Sequence, residues 1–511
     1  MHNRRQIMAF GAGGIALGGA AALGLSGGAI ADGLADFGLG GADDLANPQQ
    51  IVSKNGLLQA TLRTRLAPEL VDDKRRMLRR YNGGLPGPTL RLRPGDLMEI
   101  QLENALPPNA PPFPELADLP EFSADDICGP VGTSHVRPHD LNTTNLHFHG
   151  LHVSPKGNSD NVFVTVPPGE VFNYRVQLPE THPTGAFWYH PHWHGSVAAQ
   201  IGSGMAGMIL IEPEGYVPPG LPERQIVIQT VIGGDAEGFD DPQQFMSLTA
   251  PRIFTINGQY RPTIRLRQGE RQFWRMLLAN DFQFCPLDFA AMGLKAILVG
   301  RDGTPLPEPK AIDRLLLSPG NRFDVVVEGR DPGLHDMVRQ PYRHGLVDLD
   351  GRTIAQVHVA PGGAASDLMP APAATPADIT DGEIVKRRTV VLGEKKDDRA
   401  VFDLAFTIDG QSYDPDTWHL DPKLNTAEEW TFVNTTAYPH PMHIHINPFQ
   451  VVAVNGAPVP DRPWYDTHIV PAAGTLTIRS RFEDFDGDFV THCHILPHED
   501  AGMMMNVRIV P

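Results

Sequence analysis

The chain has 511 residues, a formal charge of -18, and 51 glycines and 48 prolines. The acidic balance argues against nucleic acid and anionic membrane surfaces as partners. The dense turn formers separate short alternating apolar runs, the pattern of an all-β protein rather than a helical one.

The first residues read as an export signal. Arg4-Arg5 precede a Gly- and Ala-rich apolar run from Ile7 to about Ile30 with no acidic residue, and Ala29-Ile30-Ala31 fits a small-x-small cleavage site. A paired arginine before a weakly hydrophobic core suggests the twin-arginine route, with residues 1–31 removed and the product periplasmic or secreted. The glycines argue against a membrane anchor, and no later stretch is a sustained apolar span. The remaining 480 residues, at about 150 per domain, suggest three domains.

Residues 32–47 read as a flexible arm. A first domain is expected over 48–214, closing on Met208-Ile209-Leu210-Ile211. A second spans 222–362, an Ala- and Pro-rich linker covers 363–384, and a third fills 385–511. Three echoes mark them. Gly87-Pro88-Thr89-Leu90-Arg91-Leu92 leads into Met98-Glu99-Ile100-Gln101-Leu102. Ile256-Asn257-Gly258-Gln259 leads into Ile264-Arg265-Leu266-Arg267. Ile408-Asp409-Gly410-Gln411 leads towards Trp430-Thr431-Phe432-Val433. Each is a strand, a turn and a second strand, so three β-sandwiches are expected.

Four His-x-His pairs punctuate the outer domains: His147/His149, His190/His192, His443/His445 and His492/His494. On a strand such a pair shares one face. In the last pair the intervening residue is Cys493, which points the other way. One segment can therefore offer a thiolate to one metal and two imidazoles to another. His498 and Met503 add a second imidazole and a weak axial thioether, and His440 supplies the remaining imidazole of a blue-copper centre. Within domain 1, Phe187-Trp188-Tyr189-His190-Pro191-His192 matches Phe489-Val490-Thr491-His492-Cys493-His494. Pro191 stands in place of Cys493 and Thr144 in place of His440, so domain 1 cannot build the thiolate site. Domain 2 has no His-x-His and reads as a spacer. Any site using all four pairs must lie between domains 1 and 3, where shared metals would also stabilise the interface.

In their order and spacing the four motifs resemble those of the multicopper oxidases, over nearly the whole mature chain. The resemblance implies three cupredoxin-like Greek-key domains and four copper ions. It implies a type 1 copper on His440, Cys493 and His498 with Met503 axial, and a type 2 copper on His147 and His443. The type 3 pair would take His149, His190, His192, His445, His492 and His494. Asp160 and Glu499, close to ligand motifs, become candidates for proton delivery, although the family usually has Asp-Gly where this chain has Asp160-Asn161. The partners implied are O2 and a small reducing substrate; the acidic charge fits a monomer, with the oligomeric state left open by the sequence.

The leading functional reading is an oxidase of phenols or aromatic amines. The second is a metal oxidase acting on Cu(I), Fe(II) or Mn(II). Cuprous oxidases of the family tend to carry a Met-rich insertion, whereas here Met337 and Met369 are scattered. A non-enzymatic reading is copper sequestration or a structural relative that has lost its metal, and the complete ligand set argues against metal loss. His152, His182 and His194 fall out of pattern, and His335 and His344 have no partner in sequence. Cys128 and Cys285 are left as either a disulfide or two free thiols.

Overall fold

The computed structural model describes residues 44–109, 135–232 and 241–511. The expected export signal, most of the expected arm, and Cys128 lie outside the described residues. No helix among the described residues is long and apolar enough to cross a membrane.

Strands dominate, and they assemble into three two-sheet sandwiches. In the first, one sheet runs in the order Gln50–Val52, Thr89–Leu92, Gly207–Ile211, Gly185–His190, His147–His149. The facing sheet runs Lys74–Tyr81, Leu57–Val71, Leu97–Asn104, Val171–Gln177. The sequence alternation explains the packing. Met98, Ile100 and Leu102 point inward from one strand and join Leu58, Leu62, Leu90, Tyr174 and Ile209 in a single core.

The second sandwich centres on a six-stranded sheet with Glu223–Ile232, Arg271–Leu278 and Arg322–Gly329 side by side, faced by Thr263–Arg267, Arg352–Ala360 and Gly333–Arg339. Cys285 is buried in its core, where burial pushes the thiol up to about 12. The third pairs a sheet containing Ile384–Lys396, Thr426–Asn434 and Thr475–Phe482 with one in the order Trp418–Leu420, Met504–Ile509, Gly487–Cys493, His440–Ile444, Thr467–Val470.

One expectation changes at the start of the chain. Residues 44–47, read as the end of a flexible arm, are held on the second sandwich. Asp44 bridges to Thr263, Leu45 N–H donates to the Thr263 carbonyl at 2.9 Å, and the Leu45 side chain is buried. A free backbone edge and an apolar side chain gain partners there, which glycine and aspartate content alone does not reveal.

The interfaces carry buried charge. Arg91 of the first sandwich pairs with Glu212 and Glu223, and Arg275 of the second reaches Glu212 at 3.1 Å and Asp324 at 3.0 Å. Asp500 of the third sandwich accepts hydrogen bonds from Gly195 N–H (2.7 Å) and Ala198 N–H (2.8 Å) of the first. The Asp500 contacts hold the first and third sandwiches against each other where the histidine pairs meet.

Candidate metal centre

Cross-strand register builds the site twice from the same device. In domain 1 His147 lies opposite His190, and in domain 3 His443 lies opposite His492. Directly opposed residues on one sheet face are within side-chain reach, so each domain contributes a four-imidazole patch. The two patches face each other: the His147 and His445 rings stack at 3.8 Å, and those of His149 and His443 at 3.7 Å. All eight histidines are buried.

Burial keeps these rings neutral by penalising the cation. His192 is lowered to about 4 and His492 to about 3, and His147, His149, His443, His445 and His494 fall well below the usual histidine range. A neutral imidazole carries one proton and one lone pair, and the proton's partner decides where the lone pair points. His147 Nδ1 faces the Asp160 carboxylate at 3.0 and 3.1 Å. His443 Nδ1 donates to the Asp466 carbonyl at 2.8 Å, and His190 Nδ1 to the Pro191 carbonyl at 2.9 Å. His492 Nδ1 lies 2.9 Å from Glu499 and 3.2 Å from the Cys493 carbonyl. His149 is reversed: its Nε2 faces Asp466 Oδ1 at 3.1 Å and Thr467 at 3.2 Å.

The remaining nitrogens converge. His192, His445 and His492 bring their Nε2 atoms within 3.1–3.2 Å of one another. His149 Nδ1 faces His190 Nε2 at 3.4 Å, with the His494 ring 5.0 Å from His149. The Nε2 atoms of His147 and His443, and both nitrogens of His494, are buried without a hydrogen-bond partner. Three groups of converging lone pairs in a buried space suit metal cations. In their absence each close nitrogen pair and each orphaned nitrogen is a cost of about 1–3 kcal/mol.

On the other face of the strand Gly487–Cys493, the Cys493 thiol meets His440 Nδ1 at 3.5 Å and His498 Nδ1 at 3.9 Å, and those two nitrogens are 3.2 Å apart. His440 Nε2 is paired with Thr436 at 2.7 Å, which frees its Nδ1. Burial pushes the Cys493 thiol well above the usual range, so a cation is needed to hold the thiolate. Met503 is fully buried in the same core. Its carbonyl accepts the Cys493 N–H at 3.1 Å and its N–H donates to the His498 carbonyl at 2.9 Å. In domain 1 the equivalent place is closed: Thr144 donates to Gln200 at 2.8 Å.

Both candidate acids sit at the histidines. Asp160 also accepts the Phe148 N–H at 2.9 Å, and burial raises it to about 8. Glu499 lies 3.7 Å from His192 Nδ1 as well as 2.9 Å from His492, and burial raises it to about 7. In both, burial favours the protonated carboxyl.

Several participants escape sequence reasoning. Asp466, Thr467 and Thr436 touch ring nitrogens but belong to no motif. His344, partnerless in sequence, lies 6.3 Å from the His498 ring in a layer with Phe284 and Tyr438. Phe406 stacks on His498 at 3.9 Å. Nor is domain 2 the spacer expected of it. Arg322 reaches Asp466, and a Cβ on Gly320 would lie 3.1 Å from the His494 ring and 3.3 Å from that of His149. The absence of His-x-His left this contact invisible.

Comparison with known proteins agrees with this geometry. Two family models described as multicopper oxidase match residues 136–215 and 386–511. The multicopper oxidase mco of Staphylococcus aureus is 25% identical over 443 residues, covering 84% of this chain and 83% of that one. A laccase of Haloferax volcanii is 25% identical over 455 residues, covering 83% and 76%. Among solved structures, a Campylobacter jejuni multicopper oxidase described as a metallo-oxidase superposes with a TM-score of 0.73. It is 24% identical and the match covers 91% of this chain and 95% of that one. The shared fold is that of cupredoxin-like β domains.

Proposed function

Because the chain belongs to the multicopper oxidases, we propose that it oxidises phenolic or aromatic-amine donors one electron at a time at the His440–Cys493–His498 centre and delivers the electrons to O2 at the eight-histidine centre. The observation that carries this reading is the strand Gly487–Cys493, whose Cys493 faces one donor set while neighbouring His492 faces the other. Four bound coppers would supply one-electron acceptance at the thiolate centre and four-electron reduction of O2 to water at the histidine centre.

The chain's own residues define how such a centre is held. His440, Cys493 and His498, with Met503 beside them, would hold the type 1 ion. His147 and His443 would hold the type 2 ion. The type 3 pair would divide between His192, His445 and His492 on one side and His149, His190 and His494 on the other. Cys493 and His492 are joined by one peptide unit, which gives electrons a short covalent route. Glu499 lies against His192 and His492 and would pass protons inward, and Asp160 would do the same beside His147. The export signature around Arg4-Arg5 supports a periplasmic or secreted protein, and the net charge of -18 fits a soluble one.

A metal oxidase is the second reading. The burial of His498 beneath Phe406, Tyr438 and His344 favours small donors over bulky ones. A relative of this fold is described as a metallo-oxidase. O2 uptake by copper-loaded protein with a dimethoxyphenol and with Cu(I), run in parallel, separates the two. Preference for the phenol supports the first reading, and preference for Cu(I) replaces it with the second.

A further inference from the structure

Resting on the copper reading above, we infer that Arg322 of the second domain is a positioning residue for the histidine centre, acting through Asp466 on His149. Arg322 is fully buried and touches all three domains. Its Nη1 and Nη2 donate to Asp466 Oδ1 at 2.8 Å and Oδ2 at 2.5 Å, in the third domain. Its Nε donates to the Ala186 carbonyl of the first at 3.2 Å. Within its own domain its Nη1 donates to the Gly320 carbonyl at 3.0 Å and its backbone N–H to Asp302 at 2.9 Å. The fork geometry fixes both carboxylate oxygens, which a lysine cannot do.

The fixed carboxylate has a specific consequence. Asp466 Oδ1 is the acceptor facing His149 Nε2, and this is what turns the Nδ1 lone pair of His149 towards His190. The other rings of the histidine centre whose second nitrogen is tied to an oxygen, His147, His190, His443 and His492, present Nε2 instead. The Asp466 carbonyl and Oδ1 also flank His443 Nδ1, at 2.8 and 3.7 Å. Asp466 thus touches a ring from each four-imidazole patch, His149 through its ion-paired carboxylate and His443 through its backbone carbonyl.

Two glycines make room for it. Gly150, next to His149, has φ +85°, and a Cβ there would fall 2.4 Å from Arg322 Nη2 and 2.5 Å from Asp466 Oδ2. Gly320, with φ +89°, lets the backbone of the second domain lie against the His494 and His149 rings. A domain that provides no ligand therefore closes the histidine centre and sets the tautomer of one of its rings.

The test compares wild type with Arg322→Lys, Arg322→Met and Gly150→Ala, all as full-length copper-loaded protein. The readouts are the blue absorption of the thiolate centre, the near-ultraviolet absorption of the coupled type 3 pair, and copper lost to a chelator. All three variants should keep the blue band while losing the type 3 band, with copper of the histidine centre released about 10- to 100-fold more readily. Gly150→Ala does this with Arg322 in place, so it remains informative if Arg322→Met fails to fold. Variants with the wild-type ratio of type 3 to blue absorption, or with both signals lost in step, overturn the inference. Failure of wild type itself to show a type 3 band overturns the copper reading instead.

Discussion

His492 and Cys493 are adjacent in one strand yet serve opposite faces: the Cys493 thiol lies 3.5 Å from His440 Nδ1, while His492 Nε2 lies 3.1 Å from His192 Nε2. Cys493→Ser should abolish the blue colour and donor oxidation while the histidine centre still takes up copper. Absorption and copper analysis check this. A variant that stays blue would put the thiolate elsewhere.

Met503 is buried in the same core as the Cys493 thiol, and its carbonyl accepts the Cys493 N–H. Met503→Leu nearly conserves volume and should cost less than about 1.5 kcal/mol of stability. Removing the thioether should raise the type 1 potential, as read by redox titration. An unchanged potential contradicts the axial assignment.

Much of this is legible in the sequence. The four His-x-His pairs and Cys493 could be assigned to faces because alternate strand residues share one. The three sandwiches followed from repeated strand–turn–strand echoes. Arg322 and Asp466 were not legible: they lie 144 residues apart and meet only when three domains pack. Asp500 stands next to Glu499, yet its role in holding the helix Val197–Ile201 depends on the docking of domain 1 against domain 3.

Glu499 should matter for protons and not for electron entry. Glu499→Gln keeps shape but cannot exchange a proton. Reoxidation of the reduced enzyme by O2 should slow about 10²- to 10⁴-fold, with the blue band and its bleaching by donor unchanged. Slowed bleaching with normal reoxidation would contradict the assigned role.

Asp324 predicts a pH effect away from the metals. Burial raises its carboxyl from 3.8 to about 6, with Arg275 opposing and Glu212 and Glu223 adding to the rise. The folded value lies above the unfolded one, so its contribution is complete below about pH 3.8 and is lost as pH rises through about 6, on the order of 3 kcal/mol. Asp324→Asn leaves Arg275 its glutamate partners and removes this titration. The melting-temperature difference between wild type and variant should therefore change between about pH 4 and pH 6 and level off above. A difference independent of pH would contradict the shift.

The most direct test of the central claim is the stoichiometry of O2 uptake by copper-loaded protein oxidising a dimethoxyphenol, with peroxide measured in the same vessel. The two centres joined through Cys493 and His492 predict one O2 consumed for every four donor electrons and no peroxide released. Peroxide as the product, or no uptake by fully copper-loaded protein, would contradict the account.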